Sequence, residues 1–138
     1  MAQTRPAEHR PTPALDSSAA AGAALRTFFN IARAWGLSSA EEQRLLGVKR
    51  STLYAWRSGD LPARLDENTL ERLSYVFGIY SALQVLLPVA ERADAWIRKA
   101  NTAPMFGGDS ALSRMLGGRV ADLFEVRHYL DAMRGGVS

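Results

Sequence analysis

Ser39-Ala40-Glu41-Glu42-Gln43-Arg44-Leu45-Leu46-Gly47-Val48-Lys49-Arg50-Ser51-Thr52-Leu53-Tyr54-Ala55-Trp56-Arg57-Ser58-Gly59 is the stretch that decides the fold. It reads as helix, turn, helix. Ser39 is set to cap a first helix, with Glu42 three residues on to complete a capping box, and that helix runs to Leu45-Leu46 before Gly47 supplies a permissive turn position. A second short helix starts near Lys49 and stops at Ser58-Gly59. Leu53 and Trp56 form its apolar face, spaced to meet Leu45, Leu46 and Val48. Arg50, Tyr54 and Arg57 fall at i, i+4 and i+7 on the opposite side.

That opposite side has the chemistry of a nucleic-acid reader. From Gln43 to Gly59 there is no acidic residue, while Arg44, Lys49, Arg50 and Arg57 stand among the hydrogen-bonding side chains of Ser51, Thr52 and Tyr54. A major groove admits one helix, whose first residues reach base edges while later cations meet phosphates. On that geometry Arg50, Ser51 and Tyr54 are base-edge candidates, with Thr52 beside them, and Arg44, Lys49 and Arg57 are phosphate candidates. The competing reading is two short helices of an ordinary helical core with a solvated basic face.

The rest of the composition agrees with a small helical protein. At 138 residues, 47% of them hydrophobic, the chain is long enough for one ordinary domain or two small ones sharing a core. It has no cysteine, so neither a disulfide framework nor a thiolate metal site is available. No apolar run approaches the length of a membrane span, and Pro6, Pro11, Pro13 and Asp16 interrupt any secretory-type leader, so a cytoplasmic protein is expected. The net charge is only +3, but its placement is uneven. Residues 1–60 carry eight basic and five acidic side chains, whereas residues 61–138 carry nine of each. All the excess sits with the helix-turn-helix.

Outward from that motif the chain divides into three. Residues 1–16 are polar and proline-rich and read as a flexible arm. Residues 17–65 form the helix-turn-helix unit, its support helix running from Ser17 or Ser18 to Trp35 on the stripe Leu25, Phe28, Phe29, Ala32 and Trp35, with Gly36 past the end. Residues 66–138 form a second helical unit. A long helix begins near Asp66 with Leu70, Leu73, Phe77 and Tyr80 on one stripe, becomes apolar on most sides through Leu87, and ends at Pro88. A helix over Val89–Ala100 follows, then a loop through Gly107-Gly108 anchored by Phe106. A short helix capped by Asp109 or Ser110 comes next, and after Gly117-Gly118 a last helix over Arg119–Met133. No strand pattern and no internal repeat is present, so the fold class is all-α.

The apolar excess of residues 70–87 and 120–133 is more than one small bundle hides, and helix-turn-helix proteins commonly read two half-sites by two-fold symmetry, so a homodimer is expected. Catalysis is not. His9 lies in the arm and His128 on the last helix; Glu41-Glu42 and Asp66-Glu67 read as helix-start acids. Asp122 and Glu125 are spaced to pair with Arg119 or Arg127, worth only ~0.2–0.5 kcal/mol. No phosphate loop, dinucleotide fingerprint, metal-ligand spacing or nucleophile elbow occurs, so no enzyme and no cofactor is expected.

Several stretches together resemble the antitoxins of the Xre/ParS/MbcA type, partners of RES-domain toxins. They are Leu45-Leu46-Gly47-Val48 with Leu53 and Trp56, the Asp66-to-Leu73 helix start, Ala95-Trp96-Ile97, and Asn101 through Leu116, where Asn101-Thr102-Ala103-Pro104-Met105-Phe106-Gly107-Gly108-Asp109-Ser110-Ala111-Leu112 is similar to the family's Pro-Asn, apolar, Gly-Gly, Thr-Pro-Leu signature. Ala100 and Ser110-Ala111 depart from that signature, and Lys49 takes the place of a capping Ser. The resemblance implies an N-terminal helix-turn-helix that binds operator DNA and represses the operon, and a C-terminal helical domain that dimerises and neutralises an NAD-consuming RES toxin. By position on the last helix and tail, Arg127, Tyr129, Leu130, Met133, Arg134 and Val137 are then the toxin contact. The alternatives are a stand-alone dimeric helix-turn-helix regulator whose C-terminal unit senses a ligand or only dimerises, and a scaffold that has lost DNA binding.

Overall fold

The computed structural model of the protein describes residues 18–135. The expected N-terminal arm and Val137 lie outside them. Among the described residues seven α-helices and one 3-10 turn succeed one another, and the only β feature is an isolated antiparallel bridge between Ala100 and Ser110. The fold is all-α, as the periodicity predicts.

Helix α1 (Ser18–Trp35) buries Leu25, Phe28, Ile31, Ala32 and Trp35 on one stripe and ends at Gly36, whose φ of 65° closes it without a Cβ penalty. Helix α2 (Ser39–Leu46) starts one residue earlier than its sequence suggests. Ser38, not Ser39, is the cap. Its hydroxyl accepts from the Glu41 N–H at 3.1 Å, and the Glu41 carboxylate accepts from the Ser38 N–H at 2.9 Å. Glu42 remains a first-turn acid but faces inward, only 5% exposed and paired with Arg57. Gly47 ends α2 at φ 70°, and α3 (Arg50–Arg57) follows with Leu53 fully buried and Trp56 packed at the core's edge.

Helix α4 (Glu67–Leu86) is the central rod. Asp66 caps it, accepting from Thr69 N–H at 2.8 Å, and its buried stripe is Thr69, Arg72, Leu73, Val76, Ile79, Ala82 and Leu83. The helix expected over Val89–Ala100 is shorter, α5 (Ala90–Ala95), and tightens into a 3-10 turn at Trp96–Arg98. Ala100 then pairs with Ser110, pulling the chain out of helix to close the loop between them. Asn101 organises that loop, its side-chain oxygen accepting from Ala103 N–H at 2.9 Å and its carbonyl from Gly108 N–H at 2.9 Å, and Phe106 is buried as its anchor. Ser110 caps α6 (Ala111–Met115), its hydroxyl accepting from the Ser113 N–H at 3.0 Å. Helix α7 (Val120–Met133) lies along α4 with Leu123, Val126 and Leu130 inward. Gly78 on α4 leaves the space that the Arg127 guanidinium of α7 fills.

One core serves both units, running from Phe28 and Leu53 through Val76 and Ile79 to Met115 and Leu123. Arginines fasten the junction at helix C-termini, where carbonyls lack intrahelical partners and the helix dipole is negative. Arg72 donates to Gly118 O at 2.8 Å, to Arg44 O at 3.2 Å and to Asn68 Oδ1 at 2.8 Å. Arg44 donates twice to Leu116 O, at 3.1 and 3.0 Å. Arg98 reaches Trp35 O at 3.1 Å, Gly36 O at 2.8 Å and Glu41 Oε1 at 3.0 Å. Asp122 and Glu125 both engage Arg114, Asp122 also meets Arg119, and Arg127 pairs instead with Asp131 at 3.0 Å.

Replacing Arg72 by Ala leaves the buried carbonyls around it without donors, so urea denaturation should record a loss of about 2–4 kcal/mol. Lys should not restore it, because one ammonium cannot reproduce the guanidinium fork. An Arg72→Lys variant as stable as the parent would refute this role. Burial raises the pKa of Glu42, against the opposing pull of Arg57. Its contribution to stability is therefore greatest while protonated and declines as pH rises through the carboxylate range. Relative to the parent, Glu42→Gln should gain stability between pH 4.5 and 7, read as denaturation midpoints; a difference that shrinks with pH would contradict the sign.

Candidate nucleic-acid and partner interfaces

The reading face is built by the register of α3. Leu53 is buried, while Arg50 and Tyr54, four residues apart and so neighbours on one stripe of the helix, are exposed beside it. Both are exposed, Tyr54 by 42%, together with Lys49 and Ser51. The Arg50 guanidinium lies 5.1 Å from the Tyr54 ring centroid, a cation–π contact that holds two long side chains in one orientation. A hydrogen bond with Ser39 and the charge of Arg50 lower the pKa of the Tyr54 phenol. Lys49 occupies the cap position of α3 but supplies no side-chain cap, so the positive end of the helix carries Lys49 and Arg50 with no acidic residue in its first turn.

The other three DNA candidates are placed differently. Arg44 is directed to Leu116 O, away from α3. Arg57 shares the α3 face but bends inward, its guanidinium 5.1 Å from the Phe29 ring centroid and bonded to Glu42. Thr52 is half-buried and lines a cleft of about 340 Å³ with Lys49, Arg64 and Asp66. Lys49, Arg50, Ser51 and Tyr54 are thus exposed and not fastened to another element by a carbonyl or carboxylate, while Arg44 and Arg57, exposed as well, are tied to Leu116 and Glu42. Sequence spacing alone misses this, because Arg44 and Arg57 have their partners at sequence separations of 72 and 15 residues.

At the other end, the five toxin-contact candidates that fall among the described residues also separate. Leu130 is 1% exposed and belongs to the core, which removes it from any partner surface. Tyr129 is half-buried, its ring 5.3 Å from that of Phe106 and 6.5 Å from that of Trp96. Arg127 is half-buried and tied to Asp131. Met133, 56% exposed, and Arg134 are open. The apolar surplus is also partly on the surface, in Val85 at 60%, Val89 at 49% and Phe124 at 46%. Phe124 stacks on His128 at 5.7 Å and meets Tyr75 edge-on at 5.8 Å. Among the described residues no group of His, Cys, Asp or Glu is arranged to hold a metal ion, and no helix is long and apolar enough to cross a membrane.

This division between an exposed basic helix and a distal helical unit coincides with what the chain is similar to. The family model for the antitoxin Xre-like helix-turn-helix domain matches residues 14–78. The model for the antitoxin Xre/MbcA/ParS C-terminal toxin-binding domain matches residues 82–136. The two meet within α4, the helix both units share. The chain is also 48% identical over 128 residues to the uncharacterized protein y4oB of Sinorhizobium fredii, covering 91% of this chain and 94% of that one. With both matches in this order along one fold, the chain belongs to the Xre/MbcA/ParS-type antitoxins, which combine a helix-turn-helix with a toxin-binding domain.

Proposed function

We propose that this antitoxin neutralises an NAD-consuming RES-domain toxin in the cytoplasm through its C-terminal unit and, as a homodimer, represses its own operon through α3. The observation that carries the toxin half is the match of residues 82–136 to a toxin-binding domain, together with the open Met133 and Arg134 at the end of α7. For the DNA half it is the unobstructed face of Lys49, Arg50, Ser51 and Tyr54. The dimer is supported by Val85, Val89 and Phe124, apolar side chains left at the surface after the core is complete. A stand-alone regulator would share the reading head but would need no toxin.

Two measurements test the proposal, and the second separates it from a stand-alone regulator. Arg50→Ala should weaken binding to a duplex from upstream of the gene about tenfold or more relative to a scrambled duplex, the scale of one lost bidentate base contact. Equal binding to both duplexes by the parent protein would remove operator recognition from the proposal. For the toxin, co-expression with the neighbouring NAD-consuming protein should rescue growth. Removing residues 134–138, which leaves the buried Leu130 in place, should abolish rescue while the DNA shift persists. Rescue undiminished by that truncation would refute the inhibitory role of the tail.

A further inference from the structure

One of the cavities among the described residues lies beside α3 rather than in the C-terminal unit. It measures about 600 Å³ and opens between α1 and the end of α3, bounded by Arg26, Phe29, Asn30 and Arg33 on one side and by Arg57 and Gly59 on the other. Arg26, Asn30 and Arg33 are i, i+4 and i+7 on α1, one exposed stripe spanning roughly 10 Å along the helix axis. The single carboxylate in the lining, Glu42, is already neutralised by Arg57. Among the described residues no carboxylate forms an ion pair with Arg26 or Arg33, and Arg33 contacts only the neutral Asn30 side chain, at 3.0 Å. The cavity therefore holds two uncompensated cations.

Its position makes it continuous with the reading face. Arg50, Tyr54 and Arg57 lie on one side of α3, and Arg57, the last of them, rests on Phe29 of α1 inside the cavity wall. We propose that this cavity seats the DNA sugar–phosphate strand bordering the groove that α3 reads, with Arg26 and Arg33 as the phosphate contacts and Asn30 as a hydrogen-bonding partner between them. The inference rests on α3 being the DNA-reading helix. A duplex strand carries one phosphate per ~3.4 Å of axis, so the stripe matches the run of two or three phosphates. Apolar Phe29, Leu37 and Leu61 line the remainder of the wall, a surface against which deoxyribose rings pack without a desolvation penalty. The reading helix then supplies discrimination and α1 supplies affinity, a division common to protein–DNA contacts.

The test uses the full chain and two duplexes of equal length, one from upstream of the gene and one scrambled, titrated between about 50 and 200 mM salt. Each phosphate contact adds about 0.9 to the slope of log affinity against log salt. The double variant Arg26→Gln, Arg33→Gln should lower that slope by about 1.8 on both duplexes, so that its deficit at the low-salt end exceeds that at the high-salt end roughly tenfold. Lys at both positions should keep the slope, and thermal melting should be unchanged because both side chains are exposed. An unaltered slope in the Gln variant overturns the proposal, as does a Gln variant that retains DNA binding but loses the co-expressed toxin, which would make the cavity a protein-docking site. Failure of the underlying reading looks different: the parent itself then shows no steep salt dependence and Arg50→Ala changes nothing on either duplex.

Discussion

A single buried guanidinium holds the two halves of this protein in register. Arg72 sits on the inward stripe of α4, 8% exposed, and donates to carbonyls from the end of α2 and from the turn between α6 and α7. No carboxylate touches it; Asn68 and main-chain oxygens take its hydrogens. Burial accordingly lowers its pKa, with repulsion from Arg44 adding to the effect. The site tolerates the charge because helix C-termini present carbonyl groups that have no intrahelical partner, so cation and helix ends satisfy one another. Gly47 is required there twice over. Its φ of 70° suits glycine, and a Cβ would stand 2.7 Å from the Arg72 Nε.

Most of the helical order was legible because it depends on local chemistry. Gly36 and Gly47 end helices, Asp66 begins one, Pro88 follows one, and each effect acts within a turn of its residue. The misplaced cap of α2 marks the limit of that reasoning. Ser38-Ser39 and Glu41-Glu42 offer two registers for the same capping box, and only the tertiary fold chooses between them. Glu42 meets Arg57, which in turn lies over Phe29, contacts linking three different elements that no helical spacing encodes. Arg72 carried a readable signal nonetheless. It falls at the helical interval shared by Thr69, Leu73, Val76 and Ile79, and a cation on an apolar stripe must find buried acceptors.

The placement of the arginines also changes what the chain's charge means. A net +3 concentrated in the first sixty residues suggests a broadly basic reading head. In the folded protein Arg44 and Arg57 from that segment, with Arg72, Arg98 and Arg114 from the remainder, are directed into helix ends, loop carbonyls or carboxylates. Lys49 and Arg50 near α3, with Arg26 and Arg33 along α1, are exposed and bonded to no main-chain carbonyl or carboxylate among the described residues, whereas Arg44 and Arg57 are exposed but tied down. Fewer charges are thus available to a duplex than composition implies, but they are aligned along adjoining faces. Position and partner matter more than the count.

The same accounting bears on how the two units act together. Arg44 of α2 and Arg72 of α4 meet at the turn bearing Gly118, and that turn begins α7, the helix whose end carries Met133 and Arg134. A flexible tether would let each unit bind its partner independently; here the reading helix and the last helix share α4 as a common rod and a continuous core as packing. A displacement of α7 relative to α4 would strain the Arg72 bond to Gly118, and a displacement of α2 would break the Arg44 bonds to Leu116 and the Arg72 bonds to the Arg44 and Leu45 carbonyls. The placement of α2, and with it of α3, is therefore tied to the C-terminal unit as well as to the helix-turn-helix itself. Such close packing transmits strain rather than absorbing it.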